Sequence, residues 1–295
     1  MNLFLQLIGN GIIQGALVAC LAAGFGFVYR SFRIFHIAMG AQYVFSCYSL
    51  FLFSIRIKCP LIIAIFCVLF LSIVFAWSIE LAVYRPFFKK RCSSGVVMIA
   101  SLGIMTIMEN LIALFFGNNV KTISNQLEPS VIFCGLRFTR IQLLQFFVSL
   151  VLFVGIGLSG RRIRRFKALW ALGDQPELIS VLGLPLNFLR LGVMTLSGIL
   201  IAVPAMLLSY DIGTNPHLGM HYLLLASVAV FFGSVDHYWA WGFGALLLTI
   251  MQTIAVWIFS SRWTDLVTFS ILLFVILFRP QGVFGMRKRL EEEQS

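Results

Sequence analysis

The chain has 295 residues, 60% of them hydrophobic and only 11% charged, with a mean hydropathy of +0.97. Soluble domains carry about 25% charged residues, so this composition excludes an ordinary soluble enzyme and points to an all-α, polytopic membrane protein. The net charge of +11 does not mark a nucleic-acid binder, because the basic residues lie between apolar runs and form no extended basic face; they read as topology signals and contacts to membrane lipid.

Apolar runs of about 20 residues mark spanning helices. The first covers 3–29 and is punctuated by Gly9, Gly11, Gly15, Gly24 and Gly26, which let backbones approach closely. Its opening, MNLFLQLIGNG, has neither a basic stretch nor a small-residue cleavage site, so no cleaved signal peptide is expected. The second run, 37–53, carries Gln42, Tyr43, Ser46, Tyr48 and Ser49 and is expected inside the bundle. Runs at 60–83 and 96–116 follow, then a polar loop at 117–140 and a fifth run at 141–158. After a long polar break come 188–208, 222–235, 241–259 and 266–278. That gives nine segments, or eight spans if the short seventh run is re-entrant. Asp236, His237, Tyr238 and Trp239 form a tight turn between two of them, with its aromatics expected as interface anchors.

The polar break at 159–190 is the longest in the chain. It opens with Arg161, Arg162, Arg164, Arg165 and Lys167. Asp174 stands where a helix N-cap would, Pro176 falls in the first turn, and Glu177 completes a capping box. Gly183 stops the helix and Pro185 keeps it stopped. The predicted helix has about eight residues and a length of roughly 12 Å, with Leu178, Val181 and Leu182 on one face. Two readings stand at this point: a helix resting on the lipid interface, or a knob that docks into a soluble partner. Placing this loop inside and alternating outward puts sixteen of the 22 basic residues inside and six outside. Positive residues collect on the cytoplasmic side, so nine crossings are expected, with the amino terminus outside and the carboxyl terminus inside.

Few polar groups fall within the runs. An acid near a bilayer centre costs about 2.5–3.5 kcal/mol on insertion scales, so Glu109 in the fourth run is expected to face the bundle interior or water. It reads as a pathway residue or as a helix–helix hydrogen bond. His36, at the head of the second run before Ala38 and Gly40, reads as a pathway or an interfacial residue. Glu80 is expected to reach the interface or an inside arginine. Asp211, Asn215 and His217 cluster in the outer loop DIGTNPHLG, either against a solute or partner or in an ordinary Asn-Pro turn. No phosphate-binding loop, nucleophile elbow, H-E-x-x-H or metal-ligand spacing appears, so no cofactor or metal is expected and the chain is not expected to be an enzyme. The six cysteines form no C-x-x-C pair and read as small buried hydrophobes.

Five ordered stretches resemble the permease subunit of branched-chain amino acid ABC importers. They are the glycine-punctuated opening at 9–40; Trp77–Phe87, with Glu80, Tyr84, Arg85 and Pro86; ASLGI at 100–104 ahead of Glu109-Asn110; the segment 174–183; and the ending with Arg279, Pro280, Gly282, Phe284 and Gly285. The resemblance implies an importer permease fold with broken helices around a central pore, in a single transmembrane domain over 1–295 of the bacterial inner membrane. It implies a second homologous permease, a periplasmic solute-binding protein and two ABC ATPase subunits, which bind the ATP. It makes 159–190 a cytoplasmic coupling loop whose contact residues are Asp174, Glu177, Leu178, Val181, Leu182 and Gly183. Candidates for the solute pathway are His36, Gly40, Tyr43, Glu109 and Asn215. The chain departs from the family at 36–41 and at 233–241, where a glycine-rich run is expected, and it carries Trp170 where an arginine is usual and Leu225 in place of a lysine. Those departures fall where solute specificity would lie. An ion-coupled secondary transporter and a non-transporting membrane scaffold are the rival readings.

Overall fold

The computed structural model describes residues 2–123, 130–133, 136–162, 169–170, 172–173, 185–258 and 260–278. Its helices are α1 (Asn2–Phe32), α2 (Ala38–Phe51), α3 (Leu61–Ile79), α4 (Arg85–Lys89), α5 (Ser94–Phe116) and α6 (Arg140–Arg162). They continue with α7 (Leu186–Ile212), α8 (Leu218–Gly233), α9 (Tyr238–Ile258) and α10 (Thr264–Phe278). Every apolar run of the sequence is helical. Among the described residues seven helical segments are long and apolar enough to cross a membrane, and two apolar helices, Leu218–Gly233 and Thr264–Val275, are shorter. The protein is therefore an all-α polytopic membrane protein.

Burial separates the helices into a centre and a rim. The apolar window of α1 is 89% buried, against 22% for α5 and for α6. The centre is possible because glycines remove side chains along α1. This helix runs antiparallel to α9: Gly26 faces Trp241, Gly15 faces Leu246 and Thr249, Gly11 faces Thr253, and Phe4 meets Trp257 edge to face. A Cβ on Gly26 would lie 2.8 Å from the Trp241 indole, so the glycine is what admits the largest fully buried side chain. On the rim, side chains such as Phe66, Phe70, Leu114, Phe115 and Val151 point outward. That pattern suits hydrocarbon and partner helices rather than water.

Two helices begin partway through the bundle. The Ala38 N–H at the head of α2 donates to Ser101 Oγ at 2.7 Å, and Ser101 is seven residues into α5. At the head of α8, His217 meets Glu109, seven residues before the other end of α5. With a rise of 1.5 Å per residue, each helix starts about 10 Å inside the length of α5. These are the broken helices expected from the sequence. Each chain reversal has its own local cause. Arg33 adopts a left-handed conformation (φ 55°) and returns its N–H to Tyr29 O at 2.9 Å, which ends α1. Gly213 (φ 81°) ends α7, where the next residue, Thr214, exchanges two backbone hydrogen bonds of 2.8 Å with Lys121.

Two features were not expected. The polar loop holds a hairpin, β1 (Ser130–Phe133) paired antiparallel with β2 (Leu136–Thr139) in the register Ser130↔Thr139 to Phe133↔Leu136. Gln6 on α1 exchanges two hydrogen bonds with the Arg137 backbone, and Phe138 lies over Gly9. The hairpin thus covers the start of α1. Tyr238 is also not the interface anchor the sequence suggested. Only 9% exposed, it stacks on Phe153 at 4.6 Å and packs with Phe27 and Trp241 in an aromatic cluster.

Candidate functional site

Four of the five candidate pathway residues meet around the first turns of α8. Gly40 of α2 lies against Gly219, so close that a Cβ on Gly219 would stand 2.5 Å from Gly40 O. One turn further along each helix, the Tyr43 and Tyr222 rings stack at 4.5 Å. Glu109 on α5 pairs with His217 Nδ1. Asn215 Oδ1 accepts the His217 N–H at 3.0 Å, an Asx turn that fixes the approach to α8. Glu109 therefore has its helix–helix partner, and Asn215 has its local turn. Gly40 and Tyr43 are buried, so they set the crossing of α2 and α8 rather than present themselves to bulk solvent.

His36 lies apart from this group. It is 1% exposed, and its Nδ1 meets Tyr84 Oη at 2.6 Å. Tyr84 Oη in turn meets Ser101 Oγ at 3.0 Å, which also takes the Ala38 N–H. A π turn at Glu80–Tyr84 brings the tyrosine there by widening the helix after α3. This chain of polar contacts ties the link between α1 and α2 to α5. Glu80, in the same π turn, is 2% exposed, and Arg190 and Arg85 supply the opposing charge. Its burial places it inside the bundle rather than at the interface.

At the far end of α1 a second constellation holds the entry to the 159–190 loop. Asp174, Glu177, Leu178, Val181, Leu182 and Gly183 lie outside the described residues, but the residues just before them are fixed. Ser31 Oγ donates to Leu169 O at 3.3 Å, and Arg33 Nε donates to Gly173 O at 3.2 Å. A Cβ on Gly173 would stand 1.7 Å from Arg30 O, so only glycine passes there. Trp170 stacks on Trp241 at 5.4 Å and meets the Phe27 ring at 6.0 Å. The Arg30 guanidinium lies 5.4 Å over the Trp170 ring and also pairs with Asp236. After the loop, Arg190 lies 4.5 Å over Phe88 and 6.0 Å over Phe32. Trp170 and Asp236 are thus both absorbed into one clamp, although they come from two segments that depart from the family pattern. The tryptophan fills space on an indole and accepts the Arg30 charge on its face, a job an arginine could not do.

Sequence reading missed His221 and Asp265, which meet at 3.4 Å across α8 and α10. A signal existed: His217 and His221 stand four apart in the sequence. It was not decisive, since among the described residues no group of three or more His, Cys, Asp or Glu side chains is placed to hold a metal ion. Also missed were Asn10, Gln14 and Gln252, amides set in apolar runs.

Comparison with known proteins agrees with this architecture. The chain is 26% identical over 296 residues to the high-affinity branched-chain amino acid transport system permease protein BraD of Pseudomonas aeruginosa, covering 96% of both chains. It is 23% identical to the corresponding permease protein LivH of Escherichia coli, again covering 96% of both. A solved structure, PsaBC from Streptococcus pneumoniae in complex with Fab, superposes with a TM-score of 0.52 at 13% identity over 94% of each chain, a likeness of fold. Residues 7–276 match the family described as branched-chain amino acid transport system / permease component, and since that match takes in both the α8 crossing and the α1 clamp, the chain belongs to this permease family.

Proposed function

We propose that the chain is the transmembrane pore subunit of an ATP-binding cassette importer. It moves a small polar solute, a branched-chain or other amino acid, from a periplasmic binding protein toward the cytoplasm. It works beside a second homologous permease and two ATPase subunits, which bind and hydrolyse the ATP. It lies in the bacterial inner membrane as one permease domain over 1–295, with the amino terminus outside, and with the 159–190 loop and the carboxyl terminus in the cytoplasm. The observation that carries this reading is the family match over 7–276, and the names of the relatives support the solute class.

The clamp supports a route for coupling. Asp174, Glu177 and Gly183 shape a short helix, and Leu178, Val181 and Leu182 enter a groove on an ATPase. When the ATPases close, the helix moves with them. Gly173 and Leu169 carry that displacement to Arg33 and Ser31, and from the end of α1 it passes to His36 and the head of α2. There Gly40 rests on Gly219, so α2 cannot shift without α8. The two nucleotide states of the ATPases bias two arrangements of this crossing, and no covalent chemistry is required of the chain.

The test is co-expression with candidate ATPase and permease partners, followed by ATP hydrolysis with binding protein and a panel of amino acids. A stable complex stimulated by one solute is expected. Leu182→Asp should leave the complex folded while solute-stimulated hydrolysis and uptake separate. Retention of full coupling in that variant, or solute uptake by the chain alone without ATP, would overturn the reading.

A further inference from the structure

A groove of about 420 Å3 opens between α3 and α6 where both rest on α7, at the end of the bundle opposite the clamp. The helical repeat lays its walls in two tiers. The rim tier is Leu61, the first residue of α3, Arg140, the first residue of α6, and Tyr210, near the end of α7. Four residues further in on each helix, about 6 Å deeper, stand Ile65, Leu144 and Met206. Leu50 and Ile141, both buried, back the groove. Below the rim the lining is therefore apolar throughout. At the rim, among the described residues, neither the Arg140 guanidinium nor the Tyr210 hydroxyl has a hydrogen-bond or ion-pair partner. Asp211, next to Tyr210 in the chain, accepts a hydrogen bond from Gln145 Nε2 at 3.2 Å, and no carboxylate lines the groove among the described residues. Lys58, three residues ahead of Leu61, adds a second exposed cation to the approach to α3. That helix starts without a side-chain cap, so its first N–H groups remain for an acceptor at the rim.

Positive charge and donors above an apolar slot match the polarity of a phospholipid with its head at the rim. The flanks agree. Leu61 and Leu144 are exposed on a surface that suits hydrocarbon, so the groove opens sideways toward a lipid leaflet. Arg140 and Tyr210 lie at helix ends, the level of the headgroups. We propose that this groove is a binding site for one anionic phospholipid. Its phosphate takes hydrogen bonds from Arg140 and Tyr210, and an acyl chain lies over Ile65, Leu144 and Met206. The lipid joins two rim helices, α3 and α6, across a gap that the described side chains leave open. The site goes beyond the transport reading and needs neither the solute nor the partner subunits.

The experiment is native mass spectrometry of the full chain in detergent, titrated with dioleoyl phosphatidylglycerol and, separately, with dioleoyl phosphatidylethanolamine. One phosphatidylglycerol should be retained per chain at concentrations where phosphatidylethanolamine is lost. Arg140→Gln, a change at an exposed position, should weaken that retention about tenfold, since it removes a charge-assisted bond. Arg140→Lys should recover part of the preference for the anionic lipid. Leu144→Trp fills the slot without touching the charge and should weaken retention as well. Thermal melts of the three variants confirm the fold. Glycerol 3-phosphate, a headgroup without chains, should not compete. Equal retention of the two lipids, unchanged retention in Arg140→Gln or Leu144→Trp, or competition by glycerol 3-phosphate would overturn the site. If Leu144→Trp leaves lipid retention intact but separates the chain from a co-expressed permease or from a second copy of itself, the groove is a helix–helix interface and the lipid site falls.

Discussion

At one end of the bundle Arg30, Trp170, Trp241 and Asp236 close on one another through ring stacking, cation–π contact and an ion pair. At the other end Asn10, Thr253, His221 and Asp265 surround open space. The same two helices, α1 and α9, pass through both regions, so helix identity does not make the difference. Side-chain size along their shared seam does. Near the clamp Gly26 on α1 faces the indole of Trp241, whereas toward the cavity Gly11 and Gly15 face threonine hydroxyls. A tight end holds a neighbouring segment in register, whereas the open end leaves a cavity beside polar side chains. Removing a large buried ring should therefore weigh most at the clamp, and loosening a solvent-facing ion pair on the open side should weigh least.

The largest effect is expected at Trp241, which is fully buried. Trp241→Ala removes the partner of Trp170, Phe27 and Tyr238 together. Large-to-small changes at buried tryptophans cost about 3–5 kcal/mol. Denaturant-dependent unfolding in mixed micelles should show a loss of that order, and a loss below about 1 kcal/mol would break the contrast between the ends. The next effect lies where α2 crosses α8. Gly219→Ala puts a methyl 2.5 Å from Gly40 O, and backbone cannot move aside as a side chain can. Overpacking of this kind costs about 1–3 kcal/mol. Because the crossing carries the proposed coupling, transport should fall more steeply than stability, and uptake measured beside the unfolding transition separates the two.

The clamp itself can be loosened without making a void. Asp236→Asn keeps the shape and removes the charge opposite Arg30, whose side chain is 8% exposed while that of Asp236 is 56% exposed. Water screens the half-exposed carboxylate, so the loss is about 1 kcal/mol rather than the several expected of a fully buried pair. Proteolysis of the 159–190 loop should quicken in this variant if Arg30 holds Trp170 in place. An unchanged cleavage rate would show that the stacking on Trp241 is sufficient.

How much of this was legible in the sequence follows from the range of the interactions. The nine apolar runs are local and were read almost as they stand, as were the glycines of α1 that let helices close. The Glu109–His217 and Arg30–Asp236 pairs join residues 108 and 206 apart, and nothing in the local pattern names such partners. Tyr238 was misjudged because an aromatic in a turn between apolar runs suits the membrane interface; only the positions of Phe27, Phe153 and Trp241 show that a core was available to it. The hairpin was missed because its strands are four residues each and lie within a polar stretch. The cavity was missed because single amides at Asn10, Gln14 and Gln252 are spread over two distant helices, and their meeting depends on the antiparallel register of α1 and α9.

The smallest effect should come from the Glu109–His217 pair on the open side of the α8 crossing. His217 is 62% exposed and Glu109 25% exposed, and a pair so close to water contributes about 1 kcal/mol or less. A double-mutant cycle with Glu109→Gln and His217→Gln isolates the coupling from other contacts of either residue. Raising the salt concentration then distinguishes its nature. At 1 M salt the Debye length is about 3 Å, against about 8 Å at physiological strength. A coupling that disappears at high salt is an attraction of charges, and the start of α8 is then held by the ionised carboxylate. A coupling that survives is a hydrogen bond between neutral partners. A coupling well above 1 kcal/mol in either condition would mean that the open end is as firmly built as the clamp. The contrast between a closed end and an open one would then have to be abandoned.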